Sequence, residues 1–253
     1  MASYLITGTS RGLGLALVEH LTTLPSSEVS TIFAFARSES PALKSLIDKS
    51  SGKVVFIKGD VTDEESIKKA VVEVKSHLGE KGLDVLVNNV GIMGLVQNGI
   101  VSMDDLSSHF TSNVLATHWV TRNFIPLLEK GSLKKIANIT TTLGSLNLAP
   151  SYSWSPAPAY KISKAALNML TIQYALDYAS KGFTIFALSP GWLKTDLGGG
   201  DMADLPAAVG AKASLEKIIA AGKEENGKFL NIRVEGYEDV EGPNRYDGKN
   251  PGW

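Results

Sequence analysis

The chain has 253 residues, 43% of them hydrophobic and 20% charged, enough to bury a sizeable core in one large domain. Lysine and arginine number 25 against 26 aspartates and glutamates, a net charge of −1 spread along the chain, so no basic tract points to nucleic acid and no acidic run to a solvating tail. Cysteine is absent, which excludes disulfides, thiolate metal sites and a cysteine nucleophile, and fits a reducing, cytoplasmic location.

Strand-like and helix-like stretches alternate from end to end. Residues 4–7 read as a short apolar strand with no charged leader or apolar signal core ahead of it. A glycine turn follows (Gly8-Thr9-Ser10-Arg11-Gly12-Leu13-Gly14), after which Leu13, Leu17, Leu21 and Leu24 step along one helical face. Residues 31–36, β-branched and aromatic, form a second strand ending at Arg37; residues 53–57 form a third, ending at Gly59-Asp60. Thr62 and Glu65 have capping-box spacing and open a helix with Ile67, Ala70, Val71, Val74 and Leu78 on its stripe.

A fourth strand, 83–87, runs into Asn88-Asn89-Val90-Gly91. The periodicity then predicts one long helix over 102–129, with Leu106, Phe110, Asn113, Val114, Thr117, Val120 and Phe124 as its buried stripe. Residues 135–140 are the fifth strand, and the helix carrying Tyr160 begins just after Pro156 and Pro158. A sixth strand, 183–188, ends in Ser189-Pro190-Gly191. A Gly/Asp-rich loop at 198–204 precedes a short helix at 215–220, residues 228–232 form the last strand, and a turn-rich tail reaches Trp253. This order predicts an α/β fold, a parallel sheet with helices on both faces, in a single domain. No run approaches about 18 apolar residues, so no membrane span is expected.

Two stretches carry chemistry. Gly8, Gly12 and Gly14 at a strand-to-helix turn let backbone amides approach a diphosphate at the helix N-terminus. Dinucleotide folds that bind NAD usually place an acid about 20 residues on, for the ribose 2′-hydroxyl. Here the second strand ends in Arg37 and Ser38, and Arg11 lies in the turn itself, which favours a 2′-phosphate and hence NADP(H). The second stretch is Tyr160-Lys161-Ile162-Ser163-Lys164. Residues four apart share a helical face, so the Lys164 cation is expected beside the Tyr160 phenol, favouring its phenolate and tuning it as a general acid or base. Asn113, an amide on an apolar stripe, needs hydrogen-bond partners wherever it is buried.

With the glycine turn, Asn88-Asn89-Val90-Gly91, Asn113, Tyr160-x3-Lys164 and Pro190-Gly191 in this order, the chain resembles the short-chain dehydrogenase/reductase family over nearly its whole length. Tyr-Lys-Ile-Ser-Lys-Ala-Ala-Leu-Asn-Met-Leu-Thr from Tyr160, Ser-Pro-Gly-Trp-Leu-Lys-Thr-Asp from Ser189 and the terminal Trp253 are similar to the branch of sniffer-like carbonyl reductases, C-factor-type proteins and norsolinic acid ketoreductase. The resemblance implies a single Rossmann-type, doubly wound parallel sheet of about seven strands and reversible hydride transfer to a carbonyl. It implies Tyr160 as proton donor, Lys164 as its partner and ribose ligand, and Asn113 as support for a proton-relay water. By the same resemblance Asp60 and Val61 border the adenine, Asn89 and Gly91 the ribose, and Pro190, Gly191, Leu193 and Thr195 the nicotinamide. Ser10, Leu13 and Arg122 complete the expected cofactor set.

The sequence departs from the family pattern in two places. Val90 stands where the family has alanine, and the serine that ends the fifth strand reads Thr140-Thr141-Thr142-Leu143-Gly144-Ser145. Alignment on Gly144 gives Thr141 the catalytic place, with Ser145 as alternative; a threonine hydroxyl donates the same hydrogen bond. Met93, Leu143, Leu146, Trp154, Trp192 and the loop 198–205 are expected to line the substrate site, with 198–205 as its lid. Their apolar and aromatic character suits a bulky aromatic or polycyclic ketone, as in secondary metabolism. Tyr152 and Trp154 read equally as ordinary loop packing. The four histidines share no ligand spacing, so no metal is expected. Three functions remain: an NADPH-dependent ketoreductase, a dinucleotide-bound catalyst of a non-redox isomerisation or cyclisation, and a dinucleotide sensor. A homo-oligomer is compatible with the sequence.

Overall fold

The computed structural model describes residues 1–239 and 243–253. A seven-stranded parallel sheet forms its centre: β1 (Ala2–Thr7), β2 (Val29–Ala36), β3 (Val54–Lys58), β4 (Val85–Asn88), β5 (Lys135–Ile139), β6 (Thr184–Ser189) and β9 (Phe229–Asn231), in the order β3-β2-β1-β4-β5-β6-β9. Strand β1 pairs with β2 and β4 at once, Ile6 lying between Ala34 and Val87. Each strand is hydrophobic on both sides because both sheet faces are covered. Tyr4, Ile6, Ile32, Ala34, Val85, Val87 and Ala137 pack into one core, with α1 (Gly12–Thr23) and α7 (Ala207–Ala220) over it. Leu5, Phe33, Phe35, Leu86, Ile136 and Ile185 point the other way, under α3 (Glu64–Leu78) and α5 (Ala116–Leu128). Strands β7 (Leu193–Lys194) and β8 (Leu205–Pro206) make a separate two-residue parallel pair beyond the end of β6.

Several boundaries differ from the sequence reading. Helix α2 (Pro41–Lys49) was not anticipated; it buries only Leu43, and its signal is local, Ser40 Oγ accepting from the Leu43 amide at 3.2 Å ahead of Pro41. The cap of α3 is Asp63 rather than Thr62: the Asp63 carboxylate accepts from the Glu65 amide at 3.0 Å, and Thr62 instead binds Asp60. Leu24 is already extended and closes α1. Helix α7 starts eight residues earlier than the expected 215, because its Ala- and Gly-rich first half has no strong apolar period but packs closely, Gly210 and Ala211 being buried.

The predicted long helix begins at Leu106 instead of 102, after a short 3-10 turn, Ile100–Ser102, and runs to Leu128 with a wide π turn, Thr111–Leu115, between its α4 (Leu106–Phe110) and α5 segments. The remaining helix, α6 (Pro158–Tyr178), begins at Pro158, whose missing amide costs nothing at a first helical position. No helix among the described residues is long and apolar enough to cross a membrane.

Candidate active site

Strand order reverses between β1 and β4, since the chain continues outward to β2 on one side and to β5 on the other. In such sheets the crevice beyond the carboxyl ends at this point receives ligands. The glycine turn leaves β1 there. Its geometry leaves no room for side chains: a Cβ at Gly14 would sit 2.2 Å from the Gly8 carbonyl oxygen, and one at Gly8, which has φ +74°, 2.9 Å from Val90. Asn89 ties the end of β4 to the same turn, its side-chain amide donating to the Thr7 carbonyl at 2.9 Å and its backbone N–H to Thr7 Oγ1 at 2.9 Å. Helix α1 opens with Arg11 as its cap residue and no side-chain cap, which leaves its first amides to face an anion. The cradle fits a dinucleotide diphosphate.

The remaining cofactor candidates are distributed around this cradle. Arg37 and Ser38 are exposed at the end of β2, and Ser10 and Leu13 are half-buried in the turn. Arg11 pairs with Asp196 at 2.7 Å, both side chains exposed, and Thr195 Cγ2 lies 3.5 Å from where a Gly12 Cβ would stand, so the loop after β6 closes onto the turn. Pro190 and Leu193 are buried within that loop and Gly191 lies between them. Burial pushes the Asp60 carboxyl up, but hydrogen bonds from the Thr62 amide and hydroxyl, with Arg37 nearby, hold it below its ordinary value. Val61 beside it is buried.

Arg122 is paired with Glu64 at the start of α3, Nε donating at 3.0 Å and an Nη to the second oxygen, and so joins α5 to α3.

Tyr160 and Lys164 lie on the buried face of α6, 6% and 3% exposed. The Lys164 ammonium donates to the Ile139 carbonyl at the end of β5 (2.8 Å), stands 5.8 Å from the Tyr160 ring centroid, and lies 3.4 Å from a Cβ placed on Gly91. Helix α6 thus meets the ends of β4 and β5. The expected electrostatics are corrected: among the chain's own groups burial dominates, pushing the phenol of Tyr160 up and the Lys164 ammonium down to about 8. The Lys164 ammonium faces the Tyr160 ring and the Ile139 carbonyl.

Asn113 occupies the π turn, fully buried. Its Oδ1 accepts from the Ile92 amide at 2.8 Å while Nδ2 donates to the Ile92 carbonyl at 3.1 Å and to Ser163 Oγ at 2.9 Å. The side chain is therefore spent on holding the segment after Gly91 against α6, and whatever it contributes to a relay passes through its backbone or through Ser163. Thr141 Oγ1 accepts from the Leu143 amide at 3.2 Å, leaving its proton free to donate. Thr140 is bound to Asn168, Thr142 receives the Tyr152 hydroxyl, and Ser145, buried, caps Leu148. Like Thr142 and Ser145, Thr141 accepts one hydrogen bond and keeps its proton to donate; unlike Ser145 it is only half-buried. Gly144 seats the turn on Lys164, a Cβ there meeting that side chain at 2.8 Å.

Trp154 and Trp192, from separate loops, meet with centroids 5.8 Å apart; Trp154 is 56% exposed, while Met93 and Leu143 are half-buried. Leu146 is exposed. The loop read as a lid is fastened at both ends to Trp192, whose Nε1 donates to the Gly198 carbonyl at 2.7 Å and whose carbonyl accepts from Leu205 at 3.0 Å. The sequence reading missed a buried polar layer beneath the site: Asn88 donates to Thr121 and Asn138, and Asn138 to Thr171, joining β4, β5, α5 and α6. It also missed Asn168, which brackets the Thr141 turn through Thr140 and the Gly144 carbonyl. Amides in apolar strands and helices were the available signal.

The family model "short chain dehydrogenase" matches residues 3–205. The chain is 38% identical over 152 residues to the C-signal of Myxococcus xanthus, covering 60% of this chain and 89% of that one. It is 35% identical over 202 residues to the short-chain dehydrogenase/reductase AacuF of Aspergillus aculeatus, covering 76% and 74%. Among solved structures, an NADPH-bound carbonyl reductase from chicken fatty liver superposes with a TM-score of 0.85 at 30% identity, over 100% of this chain and 99% of that one. Carbonyl reductase Sniffer of D. melanogaster superposes with a TM-score of 0.85 at 28% identity, over 100% of both. With the glycine cradle, the Tyr160–Lys164 face and the strand order described above, these matches place the chain in the short chain dehydrogenase family of oxidoreductases.

Proposed function

We propose that the protein is an NADPH-dependent carbonyl reductase that converts a bulky aromatic or polycyclic ketone to its alcohol. The observation that carries this reading is a chain of contacts: Gly8 lies against Val90, and the neighbouring Gly91 against Lys164, one helical turn from Tyr160. A dinucleotide seated in the glycine cradle would have its far end beside that pair. The cofactor is NADP(H), with Arg11 and Arg37 offered to the 2′-phosphate.

When bound, the reduced dinucleotide supplies a hydride. The chain's own residues manage the oxygen. Tyr160 Oη gives its proton to the carbonyl oxygen as negative charge develops there, so hydride and proton together complete C=O to CH–OH. The Lys164 cation stabilises the phenolate left behind, and Thr141 Oγ1 holds the substrate oxygen by a hydrogen bond. Asn113 fixes the Ile92 segment and Ser163, and with them supports the water through which Tyr160 regains a proton. Trp154, Trp192, Met93 and Leu143 hold the apolar body of the substrate, as suits a ketoreductase of specialised metabolism.

The test is oxidation of NADPH by a panel of aromatic ketones, quinones and small aldehydes. Turnover that Tyr160→Phe lowers by about a thousandfold or more, with NADPH binding retained, is the expected result. Tight NADPH binding without oxidation across the panel would overturn the reading in favour of a non-redox or sensing role.

A further inference from the structure

A closed ring of contacts joins the Trp154 and Trp192 loops, and two of its members, Asn244 and Tyr246, come from the C-terminal tail. Asp204, at the end of the loop 198–205, accepts from Asn244 Nδ2 at 2.8 Å and from the Tyr246 hydroxyl through the same oxygen. The Tyr246 hydroxyl in turn accepts from the Trp192 backbone N–H at 3.3 Å. On the other side, Asn244 Oδ1 lies 3.0 Å from the Tyr152 hydroxyl, which is also 2.7 Å from Thr142 Oγ1. Aromatic contacts complete the circuit: Tyr152 to Trp154 at 6.4 Å and Trp154 to Trp192 at 5.8 Å. Tyr152 and Tyr246 are 2% and 1% exposed, so these hydroxyls have no water to fall back on when a partner is removed.

We infer that the tail is the specificity element of this site, Asn244 and Tyr246 fixing the separation of the Trp154 and Trp192 walls through Tyr152 and Asp204. The inference rests on the reading of those tryptophans as substrate walls. Neither wall stands on regular secondary structure. Trp154 follows a short 3-10 turn and Trp192 precedes the two-residue β7, so neighbouring side chains must supply the rigidity that a helix or strand would give. Asn244 joins both sides, receiving the Trp154 loop and donating to the Trp192 loop. A ligand wide enough to touch both indoles depends on their spacing, and a small aldehyde reaching only Tyr160 does not. Asn244 and Tyr246 are positioning residues; neither is placed against the reacting atoms.

Asn244→Ala cuts the bridge from the tail, and Tyr152→Phe cuts it from the loop while keeping the ring in place. Each is expected to raise KM for a polycyclic ketone about tenfold and to leave kcat/KM for a small aldehyde within about twofold. The double variant is expected to lose less than the sum of the two single ones, because both remove the Asn244–Tyr152 link. A second readout needs no turnover: in a Trp119→Phe, Trp253→Phe background, acrylamide quenching of the two remaining indoles rises when the bridge is cut. Unchanged quenching and an unchanged ratio of KM values in both variants would overturn the inference. So would losses that are equal for both substrates and follow the melting temperature. If no carbonyl of the panel supports NADPH oxidation, the reductase reading fails, and the quenching result alone decides the role of the tail.

Discussion

Replacing Gly14 by alanine tests the cofactor cradle at its tightest point. The added Cβ would stand 2.2 Å from the Gly8 carbonyl oxygen, 2.9 Å from the Gly8 carbonyl carbon and 2.7 Å from Asn89 Nδ2. Ordinary van der Waals contact begins near 3.4 Å, so the turn must open by about 1 Å, and what moves is backbone rather than a flexible side chain. Gly8 is held from the other side by the hydrogen bond its N–H donates to the Phe35 carbonyl at 2.8 Å, and Asn89 by Thr7 at 2.9 Å, so the shift strains both. Overpacking of this kind costs about 1–3 kcal/mol. Expressed wholly in binding, that is about ten- to hundredfold weaker NADPH. The assay is a titration of NADPH fluorescence beside a thermal melt, with Gly222→Ala as control, since a Cβ there meets nothing nearer than 3.8 Å. Binding within twofold of the parent together with an unchanged melt would refute the claim that the glycine turn is closed by backbone contact.

Arg37→Ala is expected to lower the preference for NADPH over NADH by about ten- to hundredfold, the worth of one charge-assisted hydrogen bond; an unchanged ratio of the two dissociation constants would remove the residue from 2′-phosphate recognition. Thr141→Val should cost about a hundredfold or more in kcat, as loss of an oxyanion donor does, whereas Ser145→Ala, whose hydroxyl is buried as the cap of Leu148, should cost little. The reverse order would give the role to Ser145. Lys164 titrates near 8 in the folded chain against an ordinary 10.5. Between those values the unfolded chain carries one more proton than the folded one, so this site's contribution to stability rises with pH, by about 3 kcal/mol over the window. Urea melts in the absence of NADPH at about pH 7.5 and about pH 10 should show that rise in the parent and not in Lys164→Met; parallel profiles would mean that burial does not perturb this lysine.

The sheet was legible because each strand is a short β-branched or aromatic run and each turn that matters is local. Gly8 to Gly14, and Tyr160 with Lys164, sit within a few residues of one another, so spacing alone places them. Arg122 shows where this ends: its partner Glu64 is 58 residues away, and a charged residue's partner across such a distance leaves no periodic trace. Asp204, Asn244 and Tyr246 were likewise silent, since an Asp in a Gly-rich loop and an Asn in a polar tail read as turn formers until the fold brings them together. The electrostatics of Tyr160 were misjudged for a different reason. Spacing shows that two side chains share a face, but which face is dry is decided by what packs over it.

The π turn at Thr111–Leu115 inserts a slip in angular phase between two stretches of one apolar pattern. After it, Thr117, Val120 and Phe124 keep the buried places their period assigns; before it, His109 is buried in place of Phe110, one position out of step. The helix therefore behaves as two rulers joined with an offset of one residue, and Asn113 lies in the joint. Deleting a residue from the joint would bring the two rulers into line while turning that amide off its Ile92 partner, so the better-wound helix would be the poorer scaffold.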